Sequence, residues 1–162
     1  MEKWVVTAKK ADFQGIGRKY GIDPVIARII RNRDITGDEA IEEYLNGTLA
    51  DIPSWKLLKD IDKAVEIISG KIDAGTKMRI IGDYDIDGVT ATYILLKGFK
   101  RLGANVDTYI PDRVADGYGI HDHLIKKAME DGIDTIVTCD NGISASSQIT
   151  YAKELGMTVV VT

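Results

Sequence analysis

Asp83, Asp85 and Asp87 alternate with Tyr84 and Ile86 in the segment Gly82-Asp83-Tyr84-Asp85-Ile86-Asp87-Gly88, directly after the apolar pair Ile80-Ile81. Like charges a few Å apart repel and resist joint ionisation. A divalent cation removes that cost, and hard cations take carboxylate oxygens as ligands. The turn therefore reads as half of a metal site, against the plainer alternative of a solvated acidic turn. An EF-hand calcium loop is excluded: its twelfth position needs a bidentate Glu, and counting from Asp83 that position is Ile94. A further carboxylate, Asp140, stands in Thr138-Cys139-Asp140-Asn141-Gly142-Ile143. Taken alone, Asp140 could simply cap a following helix, which is the lesser reading.

The elements that must position these groups divide near Gly75. Before it the signals are helical. Asp23-Pro24 supplies a cap and a favoured first residue for a helix over Val25–Arg31. Thr36 with Glu39 forms a capping-box pattern before Ala40–Leu45, and Asn46-Gly47 stops that helix. Asp60 opens another helix, with Ile61, Ala64, Val65, Ile68 and Ile72 on one face and Gly75 at its end.

Beyond Gly75, strands at 77–82, Asn105–Ile110, Asp134–Cys139 and Met157–Val161 alternate with helices at 88–102, His121–Glu130 and Ser144–Leu155. The expected fold is α/β: a parallel sheet with helices on both faces, preceded by a small helical segment (residues 1–75 and 76–162). In such open sheets, ligands sit beyond the carboxyl ends of strands, where strand order reverses. If the first and third strands are neighbours, all four carboxylates meet at one edge.

Bulk properties narrow the class. The 162 residues are 44% hydrophobic and 28% charged, an ordinary globular composition. No run approaches the about 18 apolar residues of a membrane span, and no secretory signal pattern opens the chain. Cys139 is alone, so no disulfide forms within the chain and a cytoplasmic location is expected. The net charge of −4 excludes a broad basic nucleic-acid surface. Any such contact is local: residues 1–35 carry eight Lys/Arg against four acids, and residues 36–75 four against nine.

The acidic segment, extended through Val89-Thr90-Ala91, and the Thr138–Ile143 segment together resemble the RecJ-type exonucleases of the DHH phosphoesterase superfamily. Between them, Tyr109-Ile110-Pro111-Asp112-Arg113 and Gly117-Tyr118-Gly119-Ile120 are similar to that family's arginine and GYG segment, and Ala27–Arg33 to its lead-in. The resemblance implies a 5′-to-3′ exonuclease on single-stranded DNA using two Mn²⁺ or Mg²⁺ ions. It implies Asp83, Asp85 and Asp140 as catalytic metal ligands, with Asp87 a further ligand or an orienting group. Arg113 would clamp phosphate, its planar fork suiting phosphate oxygens. Gly117 and Gly119 would admit substrate close to the backbone, and Tyr118 would stack on a base. Ser144, opening the helix after Asp140, would present backbone donors to an anion.

The family's third motif, Asp-His-His, should follow a strand like Met157–Val161, and the sequence stops at Thr162 before it. The expectation is a C-terminally incomplete domain whose partner is the remainder of the same enzyme, inactive alone. His121 and His123 lie between the motifs and so do not replace it; they are expected at the start of a surface helix, with phosphate contact as the other reading. Two rivals stay open: an oligonucleotide or cyclic-dinucleotide phosphodiesterase on the same fold, and a non-catalytic replication-complex scaffold.

Overall fold

The computed structural model describes residues 2, 3, 5 and 9–162. They form two compact units, Met1–Leu57 and Leu58–Thr162. The division falls before the change near Gly75 from helical to alternating signals, because the helix preceding Gly75 packs its apolar face on the sheet.

In the first unit, α1 (Phe13–Tyr20) and α2 (Pro24–Asn32) pair, followed by α3 (Asp38–Asn46). Asp23 caps α2 as expected, its Oδ1 accepting the Val25 N–H at 2.8 Å with Pro24 first in the helix. The capping box expected from Thr36 and Glu39 does not form. Helix α3 starts instead at Asp38 behind Gly37 (φ 85°), with no side-chain cap. Asp38 and Glu39 occupy its first turn, where negative charge complements the helix dipole. Among the described residues, Ala27, Ile30 and Ile41 are the buried apolar side chains of this unit.

The second unit opens with α4 (Ile61–Asp73), entered through Asp60 at φ 56° without a side-chain cap bond. Then follow β1 (Met78–Ile81), α5 (Ile86–Arg101), β2 (Val106–Tyr109), α6 (Asp122–Glu130), β3 (Thr135–Thr138), α7 (Ser146–Glu154) and β4 (Thr158–Val161). All strand pairs are parallel, in the order β2-β1-β3-β4. The chain thus builds outward from β1 to β2, then crosses back to place β3 on the other side of β1. Strand order reverses between β1 and β3, the neighbours the sequence reading required.

Both faces of the sheet are covered. On one, Met78, Ile80, Val137 and Phe99 pack with Ala64, Ile68 and Ile72 of α4 and Leu95 of α5. On the other, Ile81 and Ile136 pack with Ile125 and Ala128 of α6 and Ala152 of α7. Arg79, 8% exposed, is the exception on β1. Its guanidinium donates to Asp107 at 2.8 and 2.7 Å and to Asp131 at 2.8 Å, so its charge is matched where it is buried. Among the described residues no helix is long and apolar enough to cross a membrane.

Candidate metal centre

Register decides where the acidic residues go. Ile81 ends β1 opposite Thr138, which ends β3, so the turns after both strands leave the sheet at the same level. In the first turn Asp83 is buried, at 2% exposure, and its Oδ1 accepts the Tyr84 N–H at 2.8 Å. Asp85 is the N-cap of α5, its Oδ1 accepting the Gly88 N–H at 2.9 Å. This cap starts the helix earlier than expected, at Ile86 rather than near residue 88. In the second turn Asp140 holds a left-handed backbone at φ 58°. Such a conformation is uncommon for a residue with a Cβ and is found at sites where geometry outranks local comfort.

Asp83, Asp85 and Asp140 each bring a carboxylate oxygen within 4.8 Å of the others. Asp87, expected among them, lies outside this group, in the first turn of α5. It remains near enough to act on Asp140 through charge. The Asp140 carboxyl is held above the usual carboxylate range, first by desolvation and then by repulsion from Asp85, Asp87 and Asp83. No Lys, Arg or His forms an ion pair with any of these four among the described residues. Clustered hard oxygen donors without a protein cation match what Mn²⁺ or Mg²⁺ takes.

Asn141 was missed by the sequence reading. It is 7% exposed, and its Nδ2 donates to the carbonyls of Gly82 at 2.7 Å and Ile81 at 3.3 Å. The residue after Asp140 thereby ties the β3 turn to the end of β1. Nothing local in Cys139-Asp140-Asn141 signals this, since it depends on which strand lies alongside.

The remaining expected residues gather on the rim. The Arg113 guanidinium stands over the Tyr84 ring, 5.3 Å from its centroid, and Tyr84 meets Tyr118 edge-on at 6.4 Å. The Tyr118 hydroxyl donates to the Asp140 carbonyl at 3.4 Å. Gly117 and Gly119 both have positive φ, 78° and 88°, so this loop needs glycine for its path. Ser144 is not at a helix start: α7 begins at Ser146, and Ser144 lies in the preceding turn. It still lines a cleft of about 480 Å³ together with Tyr118, Gly119, His121, Asp140 and Asn141. His121 immediately precedes α6 without capping it, and His123 pairs with Asp116 at 2.7 Å.

The chain is similar in sequence and in fold to known proteins. The single-stranded-DNA-specific exonuclease RecJ of Salmonella typhimurium is 35% identical over 142 residues, covering 87% of this chain and 24% of that protein. The Bacillus subtilis RecJ is 33% identical over 161 residues, covering 99% and 20%. The chain thus spans a quarter or less of the length of these curated relatives. A crystal structure of exonuclease RecJ bound to manganese superposes with a TM-score of 0.63 at 35% identity, covering 71% of this chain and 29% of that one. RecJ from Thermus thermophilus in complex with Mn²⁺ gives 0.58 at 27% identity, covering 92% and 20%. The profile of the DHH family, N-terminal domain, matches residues 77–162, from the start of β1 through β4. With that match spanning the sheet and both acidic turns, the chain belongs to the DHH family.

Proposed function

We propose that this chain carries the first half of a RecJ-type active site, in a metal-dependent exonuclease that degrades single-stranded DNA from its 5′ end. The observation that supports this most directly is the meeting of Asp83, Asp85 and Asp140 from two turns at the point where strand order reverses. These three carboxylates would hold Mn²⁺ or Mg²⁺, with Asp87 adding negative charge beside them rather than a bond. A bound divalent ion lowers the pKa of a water ligand and stabilises charge building on phosphorus.

The chain's own groups supply the rest of the chemistry. Burial and the Tyr84 N–H fix the Asp83 carboxylate, and the cap bond fixes Asp85. Asn141 sets the spacing between the two turns. Arg113, held over Tyr84, offers planar donors to a phosphate oxygen. Tyr118, largely exposed at the rim, offers a face on which any base can stack, as an enzyme indifferent to sequence requires. The relatives are at least about four times longer, and the remaining metal ligands and the substrate grip are assigned to that further part of the protein. Residues 1–162 alone are therefore expected to bind the metal weakly and not to turn over substrate.

The test uses the full-length protein, with long single-stranded DNA labelled at either end and with dinucleotides. Mn²⁺-dependent loss of nucleotides from the 5′ end, abolished by Asp140→Asn, is the expected result. Faster cleavage of dinucleotides than of long strands would move the site to an oligonucleotide substrate.

A further inference from the structure

We propose that Asp116 is a positioning residue whose carboxylate fixes the loop between β2 and α6, so that Arg113 and Tyr118 stand at the acidic turns; this rests on those two residues being the substrate contacts. The loop, residues 110–121, belongs to no helix or strand. Much of it is exposed, Val114 at 95%, so apolar packing does not set its path. Asp116 departs from that pattern: its side chain is only 11% exposed. Burying a carboxylate costs free energy unless hydrogen bonds replace the lost water.

Three partners replace it. Oδ2 of Asp116 accepts the Asp112 N–H at 2.8 Å and the Tyr109 hydroxyl at 3.2 Å. Oδ1 lies 2.7 Å from Nε2 of His123. One carboxylate thus joins the end of β2, the loop itself and the first turn of α6. Asp112 tightens the same loop, its Oδ1 accepting the N–H groups of Val114 and Ala115, each at 2.8 Å. The Asp112 N–H, and after it His123, hold the Asp116 carboxyl below the usual carboxylate range, so it remains an acceptor at neutral pH.

The loop closed in this way carries the expected substrate contacts on either side of Asp116. Arg113, three residues before it, stands over the Tyr84 ring of the first acidic turn, 5.3 Å from the centroid. Tyr118, two residues after it, donates to the Asp140 carbonyl of the second turn at 3.4 Å. Asp116 is not among the grouped carboxylates, so its effect on substrate runs through these two side chains. A contact residue on a loop is only as well placed as the bonds that hold the loop.

The test is steady-state cleavage of long single-stranded DNA with Mn²⁺ by the full-length protein. It compares wild type, Asp116→Ala, the double variant Arg113→Ala/Tyr118→Ala, and the triple variant. Asp116→Ala should raise KM about tenfold, the loss expected when a contact to a charged group is misplaced. Its kcat and Mn²⁺ affinity should stay within about twofold, since the interaction lost is one of binding. Asp116→Asn, which keeps the shape and one acceptor oxygen, should recover part of the loss. In the double variant, removing Asp116 should add little, because the groups it positions are gone. An unchanged KM in Asp116→Ala, or a full tenfold loss added to the double variant, overturns the positioning role and leaves the exonuclease reading standing. Loss of Mn²⁺ affinity overturns it too, placing Asp116 in support of the metal centre. Should Asp116→Ala not fold, Tyr109→Phe removes one of the three partners and keeps the ring; it should raise KM about threefold in the same cycle, and an unchanged KM there overturns the role. A wild-type protein without Mn²⁺-dependent cleavage takes down the exonuclease reading and this inference together.

Discussion

Nδ2 of Asn141 donates to the Gly82 carbonyl at 2.7 Å, so the turn that carries Asp140 is fastened to the strand end that leads into Asp83. This contact sets the distance between the two halves of the acidic cluster without itself supplying a ligand. Asn141→Leu keeps the size and removes the donor. It should lower Mn²⁺ affinity about tenfold, in line with the loss of other contacts that orient metal ligands. Isothermal titration of the folded variant measures this, and unchanged affinity would remove Asn141 from the site.

The carboxylates themselves should rank in importance by their geometry. Asp85→Asn retains the α5 cap, because Asn serves as well as Asp at that position. Its fold should survive while Mn²⁺ affinity drops by more than the about tenfold cost of a lost orienting contact. Asp140→Asn should do the same. Asp87→Asn should have a clearly smaller effect, since Asp87 stands outside the carboxylate group and reaches Asp140 through charge. Equal losses for Asp87 and Asp85 in the same titration would restore Asp87 as a ligand.

Gly88 is required by close approach rather than by unusual backbone. A Cβ added there would stand 2.6 Å from both the Cβ and the carbonyl oxygen of Asp83. Gly88→Ala must displace Asp83 or the start of α5, costing about 1–3 kcal/mol as overpacking does. Urea unfolding should show that loss, together with weaker Mn²⁺ binding. Full affinity in the variant would mean the acidic turn tolerates movement.

Acid sensitivity should trace to the far end of the sheet. The Asp131 carboxyl is held below the usual carboxylate range, chiefly by its hydrogen bond from Arg79. A folded-state pKa below the unfolded one means that protons prefer the unfolded chain. This contribution is therefore complete above the ordinary carboxylate range and is lost as pH falls through the lowered value. Asp131→Asn should reduce stability at neutral pH and flatten the fall in urea midpoint between about pH 5 and pH 2. An unchanged acid limb would place the sensitivity elsewhere. Arg79→Met should be better tolerated than Arg79→Ala, which leaves a void as well as two unmatched carboxylates.

Local pattern revealed much of this protein. Alternation of short apolar strands with amphipathic helices announced the parallel sheet, because side-chain period reflects which faces are buried. The order of β1, α5, β2, α6, β3, α7 and β4 was legible, as were the Asp23 cap and the acidic turn after β1. Element ends were less so. Asp85 turned out to be a cap as well as a member of the carboxylate group, moving the α5 start to Ile86, and α7 began two residues past Ser144.

What only the tertiary structure decided was pairing across the chain. That β1 lies beside β3 with Ile81 level with Thr138 is a property of residues far apart in sequence, invisible to any local window. The bonds from Asn141 to Ile81 and Gly82 follow from that arrangement, and the stand of Arg113 over Tyr84 brings together the segments after β2 and β1, which pair in parallel. Helix geometry likewise set Asp87 apart from its neighbours. Asp87 lies within the first turn of α5, whereas Asp85 caps that helix with extended backbone and Asp83 precedes it, so among the described acids only Asp83, Asp85 and Asp140 group closely.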